Sequence, residues 1–182
     1  ISGGQFARYN KDNQAYLLKG ALRMPSGKSD WFNSLLLKLD QEKLSSISVK
    51  RKKIIFEIES KDRKLSLKNN PDLKIDEEKL KQVAEVIDAF YFYDVRKVNK
   101  IKKNNNNIIS YEFKDGLILE LKFIEKSKDS KESWIEISAK SNNPKTINEA
   151  QDLNKKTKGY QFLANINTSV IFNWNIKDLI KK

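Results

Sequence analysis

The amino-acid sequence predicts an α+β fold, with largely antiparallel sheet and three to four helices. Three observations carry that prediction. Short runs of alternating apolar and polar residues recur along the chain, which is the period of half-buried strands. Several of these runs are separated by only two to five residues, too few for a parallel crossover, so such neighbours must pair as hairpins. Other stretches repeat apolar residues at three- and four-residue spacing, the period of a helix with one buried side. At 182 residues the chain reads as one domain over 1–182. Lobes at 1–75 and 76–182 are the variant arrangement, suggested by the similar order of elements in the two halves without any residue-level repeat.

Residues 5–9 and 14–18 read as two short strands about the polar turn Asn10-Lys11-Asp12-Asn13, most economically a hairpin. Gly20, Pro25 and Ser26-Gly27 mark a loop. After it, Ser29 or Asp30 is placed to cap a short helix carrying Trp31, Leu35 and Leu36. Strands follow at 46–49, 54–58 and 64–67, with Ile54, Phe56 and Ile58 on one side, which describes a meander with one wet face. Asn69-Asn70-Pro71-Asp72 ends that block.

From 76 to about 91, Leu80, Val83, Ala84, Ile87 and Tyr91 fall on one helical side. Asp76, Glu77 and Glu78 occupy its first turn, where the helix dipole favours acids. A second β block is expected at 95–100, 108–113, 117–124 and 133–139. Lys114-Asp115-Gly116 supplies the positive-φ residues of a tight turn. Residues 127–131 form a longer polar turn, and Lys102-Lys103-Asn104-Asn105-Asn106-Asn107 a loop tip. Thr146 and Glu149 have capping-box spacing, which predicts a helix over 147–156 stopped by Gly159. A strand at 160–163 then leads to a C-terminal helix capped by Asn167 or Thr168, with Val170, Ile171, Trp174, Leu179 and Ile180 mostly on one side.

Composition bounds the chemistry. The chain has no histidine and no cysteine, so Ser-His-Asp catalysis and thiolate or His-ligated metal sites are excluded. A lysine base, a carboxylate pair or an all-oxygen metal site would remain, yet no local pattern supports one. Glu57/Glu59 and Glu77/Glu78 read as strand and helix-start surface charge. Pro25-Ser26-Gly27-Lys28-Ser29 resembles the tail of a phosphate-binding loop, but the first glycine would have to stand at Leu22, and Gly20 is two residues too early. No catalytic, cofactor-binding or metal-ligating residue is assigned, and the chain is expected not to be an enzyme.

Two clusters are candidates for binding. Lys50-Arg51-Lys52-Lys53 is the densest basic run in a chain of net charge +12, and a turn between strands would expose it to an anionic partner. The excess is almost all lysine, with only five arginines, and lysine, asparagine and isoleucine are the residues of AT-rich codons. Nucleic acid is therefore a disfavoured partner, since phosphate readers lean on the guanidinium fork. Phe90, Tyr91, Phe92 and Tyr93 close the helix expected over 76–91. Four successive aromatics cannot all face inward from a helix, so at least one should meet a neighbour, a partner or solvent.

The order of several short motifs resembles a bacterial family, domain of unknown function 4340. They are Phe6-Ala7-Arg8 to Gly20-Ala21-Leu22, Pro25, Trp31 with Leu35-Leu36, Phe92-Tyr93-Asp94-Val95-Arg96, Phe113-Lys114-Asp115-Gly116-Leu117, Trp134 through Ser138, Leu153-Asn154, Gly159-Tyr160 and Asp178-Leu179-Ile180. The resemblance implies the soluble, periplasmic part of a single-pass inner-membrane protein, encoded beside ABC-type transporter components like those of gliding-motility auxiliary systems. It implies no catalytic residues. The chain begins at Ile1, and an upstream anchor is expected. The functional expectation is thus a non-enzymatic accessory domain that binds a protein partner in an inner-membrane transport complex. The alternative is a module for an anionic polymer such as nucleic acid, envelope polysaccharide or a lipid surface, because the lysine excess is larger than the family pattern leads one to expect.

Overall fold

The computed structural model describes residues 5–19, 33–70, 73–98, 107–127 and 131–181. The loop expected at 20–27 with its phosphate-loop-like segment, the start of the helix expected after Asp30, and all of the asparagine tract but Asn107 lie outside the described residues. The chain divides into two compact units, 1–33 and 34–182.

In the first unit β1 (Gln5–Ala7) pairs antiparallel with β2 (Tyr16–Leu18), Phe6 opposite Leu17. The expected hairpin is present. Asp12 organises its turn: its N–H donates to Tyr9 O at 2.9 Å, and its Oδ1 accepts from Gln14 N at 3.2 Å.

The second unit is built on one sheet of nine strands. In chain order they are β3 (Leu35–Leu37), β4 (Leu44–Lys50), β5 (Ile54–Lys61), β6 (Lys64–Leu67), β7 (Phe90–Lys97), β8 (Ile108–Phe113), β9 (Leu117–Lys126), β10 (Ser133–Ser141) and β11 (Tyr160–Ala164). Across the sheet the order is β3-β7-β11-β10-β9-β8-β4-β5-β6, and every pairing is antiparallel. Strands from both sides of residue 75 share this sheet, β4 pairing with β8. Among the described residues four α-helices accompany it: α1 (Glu77–Glu85), α2 (Ile147–Thr157), α3 (Ile166–Ile171) and α4 (Ile176–Leu179). The fold class is α+β with antiparallel sheet, as the sequence predicts. None of the helices among the described residues is long and apolar enough to cross a membrane.

Alternation creates two unlike faces. Ile47, Ile58, Tyr111, Leu119, Leu121 and Ile135 are buried on one. The other carries Glu57, Ser48, Ser110, Glu120 and Ser138 in a row across five strands. α1 covers the apolar side with Leu80, Val83 and Ala84. Its C-terminal carbonyls lack partners within the helix, and the buried Tyr111 hydroxyl donates to one of them, Val83 O, at 2.9 Å.

Three element assignments need correction. The helix predicted through Tyr91 stops at Glu85, and a turn leads directly into β7. Tyr91 sits four residues after Ile87 by coincidence of spacing. The aromatic and β-branched run Phe90-Tyr91-Phe92-Tyr93-Asp94-Val95 suits a pleated surface better than a helix, and here it gains ladder partners on both edges, β3 and β11. Leu35 and Leu36, expected on a helix, lie in β3 instead. Three successive leucines fit either period, and pairing with β7 decides, with Phe92 N–H donating to Ser34 O at 3.1 Å. The single C-terminal helix is two short ones. Asn165 caps α3 by accepting from Thr168 N at 2.8 Å, and Asn175 forms a capping box with Asp178 at α4; the asparagines restart the helix where the sequence reading continued it.

At α2 the boundaries match but the cap does not. Thr146 Oγ1 bonds Ser141 Oγ at 2.7 Å rather than closing a capping box. A 3-10 turn over Pro144–Thr146, capped by Asn143, precedes the helix instead. Gly159, at φ 86°, follows its end, as expected of a C-terminal glycine. Gly116 is also needed: at φ 88° a Cβ there would stand 2.9 Å from Asn143 Cβ. Asn154 of α2 seals the edge of β10 that β11 leaves uncovered, accepting from Ala139 N at 2.9 Å and donating to Ala139 O at 2.7 Å. One side-chain amide thus does the work of a neighbouring strand.

The β5–β6 hairpin turns through Asp62 and Arg63, both left-handed at φ 50° and 64°. A two-residue turn of this hand matches the strand twist and prefers glycine second. Arg63→Gly is expected to raise stability by about 1 kcal/mol, the relief of a left-handed non-glycine residue, read as a higher urea midpoint. The lost ion pair to Glu42 at 3.2 Å is exposed and offsets little of this gain.

Candidate functional site

β7 separates the four aromatics that the sequence reading grouped together. Phe90 and Phe92 are 1% and 6% exposed, in the core, and Phe92 meets Phe162 edge-on at 5.1 Å between ring centres. Tyr91 and Tyr93 are 46% and 50% exposed, on the opposite face. Alternation along a strand requires this split.

Register shows what else shares the face of the two tyrosines. Trp134 of β10 lies opposite Leu163 of β11 and opposite Glu125 of β9. Arg96 of β7 lies opposite Gln161 of β11. Arg96 stands three residues after Tyr93, an odd spacing that would place them on different faces of a regular strand. A register shift in the β7–β11 ladder absorbs one residue and turns Arg96 to the tyrosine side.

The guanidinium of Arg96 is then fixed from three directions. Its Nε donates to Gln161 Oε1 at 2.8 Å, its Nη2 donates to Glu125 Oε1 at 2.8 Å, and its plane lies 4.1 Å from the Trp134 ring centre. Gln161 passes the network on, donating through Nε2 to Glu136 Oε1 at 2.9 Å. The Arg96 and Glu125 side chains are 37% and 36% exposed, so the ion pair is held by geometry while still facing solvent. The result is a sheet face that carries two exposed tyrosines, a half-buried tryptophan and the arginine stacked on it. These residue types dominate the energetic centres of protein interfaces, because they offer area at low entropic cost and a polar handle. The sequence grouped Tyr91 with Tyr93 as candidate interface aromatics, but only strand register adds Arg96 and Trp134 to them.

The basic run is divided as well. Lys50, Lys52 and Lys53 are exposed at the end of β4 and in the β4–β5 turn. Arg51 points away from them. Its Nη1 donates to Asn175 Oδ1 at 3.1 Å, and its Nη2 to Trp174 O at 3.0 Å and Phe172 O at 3.4 Å. It satisfies carbonyls after α3, the place where a cation is favoured by the helix dipole. The one fork-shaped anion reader of the run is therefore committed to the fold.

Chemistry finds less support than binding. Among the described residues no three His, Cys, Asp or Glu side chains gather as metal ligands. Asp88 has its carboxyl held above the usual range by burial, opposed by the hydrogen bond it accepts from Gln41 N at 3.1 Å and reinforced by Glu85 and Asp40. It fastens the start of a 3-10 turn. A cleft of about 350 Å³ between the end of α1 and α3 is lined by the apolar Val86, Phe90, Ile171 and Trp174, with Glu85 and Thr168 among its polar residues.

The model of the family described as Domain of unknown function (DUF4340) matches residues 1–107, more than half of the chain and all of β1 through β7. No curated protein and no solved structure gives a significant match. The matched segment carries Tyr91, Tyr93 and Arg96, and the chain belongs to the DUF4340 family.

Proposed function

We propose that the chain is a non-enzymatic interaction domain whose docking surface is the face formed by Tyr91, Tyr93, Arg96 and Trp134. The observation that carries this reading is the pre-organised arginine: two hydrogen bonds and the half-buried Trp134 ring hold Arg96, so little side-chain freedom is lost when a partner lands on it. The finer reading is that the partner is a subunit of an ABC-type transport complex, and that the domain works at the periplasmic face of the inner membrane as part of an anchored protein. Its support is the family resemblance in the order of sequence motifs.

Tyr93→Ala and Trp134→Ala, made separately in the protein expressed from its native gene, are expected to reduce co-purification of the transport subunits at least about tenfold, the loss typical of an interface centre. Circular dichroism of the purified variants checks that the fold persists. Undiminished co-purification with both variants would contradict the proposed surface.

The exposure of Lys50, Lys52 and Lys53 favours a second reading, attraction of an anionic polymer. If it holds, elution from heparin should move to lower salt in a Lys52→Ala/Lys53→Ala double variant, because each lost cation reduces counterion release.

A further inference from the structure

The sheet ends at β6, whose outer edge has no neighbouring strand among the described residues. Lys68 N–H turns inward to Glu57 O at 3.0 Å. By the alternation of an antiparallel ladder, Ser66 and Lys64 also turn inward, and Leu65 and Leu67 direct their backbone groups outward. Leu67 O is already used by Asn70 N at 3.4 Å. What remains is a donor, acceptor and donor in sequence: Leu65 N–H, Leu65 C=O and Leu67 N–H. An extended backbone matches that pattern.

The edge is not flat against solvent. A groove of about 670 Å³ runs between it and the first turns of α1, lined on the strand side by Leu65, Ser66 and the charged residues of β5, β6 and their turn, three basic and two acidic, and on the helix side by Glu77, Glu78 and Lys81. Leu65 and Leu67 lie on the α1 side of the sheet, Lys64 and Ser66 on the other. Lys81 is paired with Glu85 at 3.6 Å, so the helix wall presents the carboxylates of Glu77 and Glu78, which make no ion pair with another described residue.

We propose that this groove accepts an extended segment of a partner protein as a tenth strand, with alternate basic and apolar residues turned toward α1. The apolar residue covers half-buried Leu65, and the basic residues meet Glu77 and Glu78. Main-chain bonds to Leu65 and Leu67 supply affinity, and the helix wall selects the sequence. This surface is separate from the aromatic face proposed above, at the far end of the strand order.

The test uses two blocked peptides, Lys-Thr-Val-Thr-Lys-Thr-Val and the same peptide with Glu in place of Lys, titrated into the intact domain with amide exchange followed by NMR. The lysine peptide is expected to slow exchange at Leu65 and Leu67 and to bind at least tenfold more tightly than the glutamate peptide. Leu65→Pro removes an outward donor while sparing the inner ladder, and it should abolish binding. Glu77→Lys/Glu78→Lys should reverse the preference between peptides, which keeps the test decisive if the proline variant fails to fold. No protection at millimolar peptide, or an unchanged preference in the charge-reversed variant, overturns the proposal. So does concentration-dependent dimerisation in sedimentation that protects the same two amides, because the strand would then come from a second copy.

Discussion

Replacing Arg51 with alanine is expected to lower the stability of the fold by about 3 kcal/mol. The guanidinium serves Asn175 Oδ1 and two main-chain carbonyls, of Phe172 and Trp174, in the connection between α3 and α4. Hydrogen bonds from a charged donor contribute about 1.5–3 kcal/mol each when part-buried acceptors would otherwise go unmet, and the three share one group, so their sum is not taken. Lysine cannot replace it, since a single ammonium does not span three acceptors in a fixed fork. Arg51→Lys should therefore recover less than half of the loss in urea unfolding. The same variant separates two roles of one basic run. Heparin affinity of folded Arg51→Ala should stay close to that of the unmodified domain, whereas the Lys52→Ala/Lys53→Ala variant should lose affinity and keep stability.

The second large effect belongs to Tyr111, which is fully buried with its hydroxyl on Val83 O at 2.9 Å. Tyr111→Phe is expected to cost about 2 kcal/mol, the penalty for stranding a buried carbonyl at the end of α1. It also changes the pH dependence. Burial raises the Tyr111 pKa well above its ordinary value of 10, so the folded chain keeps the phenolic proton while the unfolded chain releases it. Above pH 10 the unfolded state thus binds fewer protons than the folded state. Stability present below pH 10 is then lost as pH rises, with a slope of about 1.4 kcal/mol per pH unit from this group. Phenylalanine lacks that term, so the gap between the two proteins should narrow from pH 10 upward in urea unfolding. Parallel curves from pH 8 to 11 would contradict the assignment.

Much of the sheet was legible in the sequence because alternation and turn chemistry are local. β8 was expected at its observed bounds, and Gly116 and Gly159 act at the positive φ their type suggests, whereas Asp115, expected to share it in the turn, does not adopt positive φ. β7 was misread because Leu80, Val83, Ala84 and Ile87 establish a helical period that Tyr91 happens to continue. The competing signal was present in the aromatic and β-branched composition of residues 90–95. The candidate site was less accessible. Arg96, Trp134, Gln161 and Glu125 come from four strands, and a shift in the β7–β11 ladder decides which way Arg96 points. Local pattern carries no information about that shift. Nor could it show that Arg51, one of four consecutive basic residues, reaches Asn175 across 124 positions of chain.

The most direct test of the docking face is site-specific photo-crosslinking in the native host, with benzoylphenylalanine placed at Tyr93 and, as a control on α2, at Lys155. The account predicts a crosslink from position 93 to a subunit of an ABC-type transport complex, lost when Trp134→Ala is added, and none from position 155. A crosslink pattern that is the same at both positions, or one at 93 that survives Trp134→Ala undiminished, would contradict it.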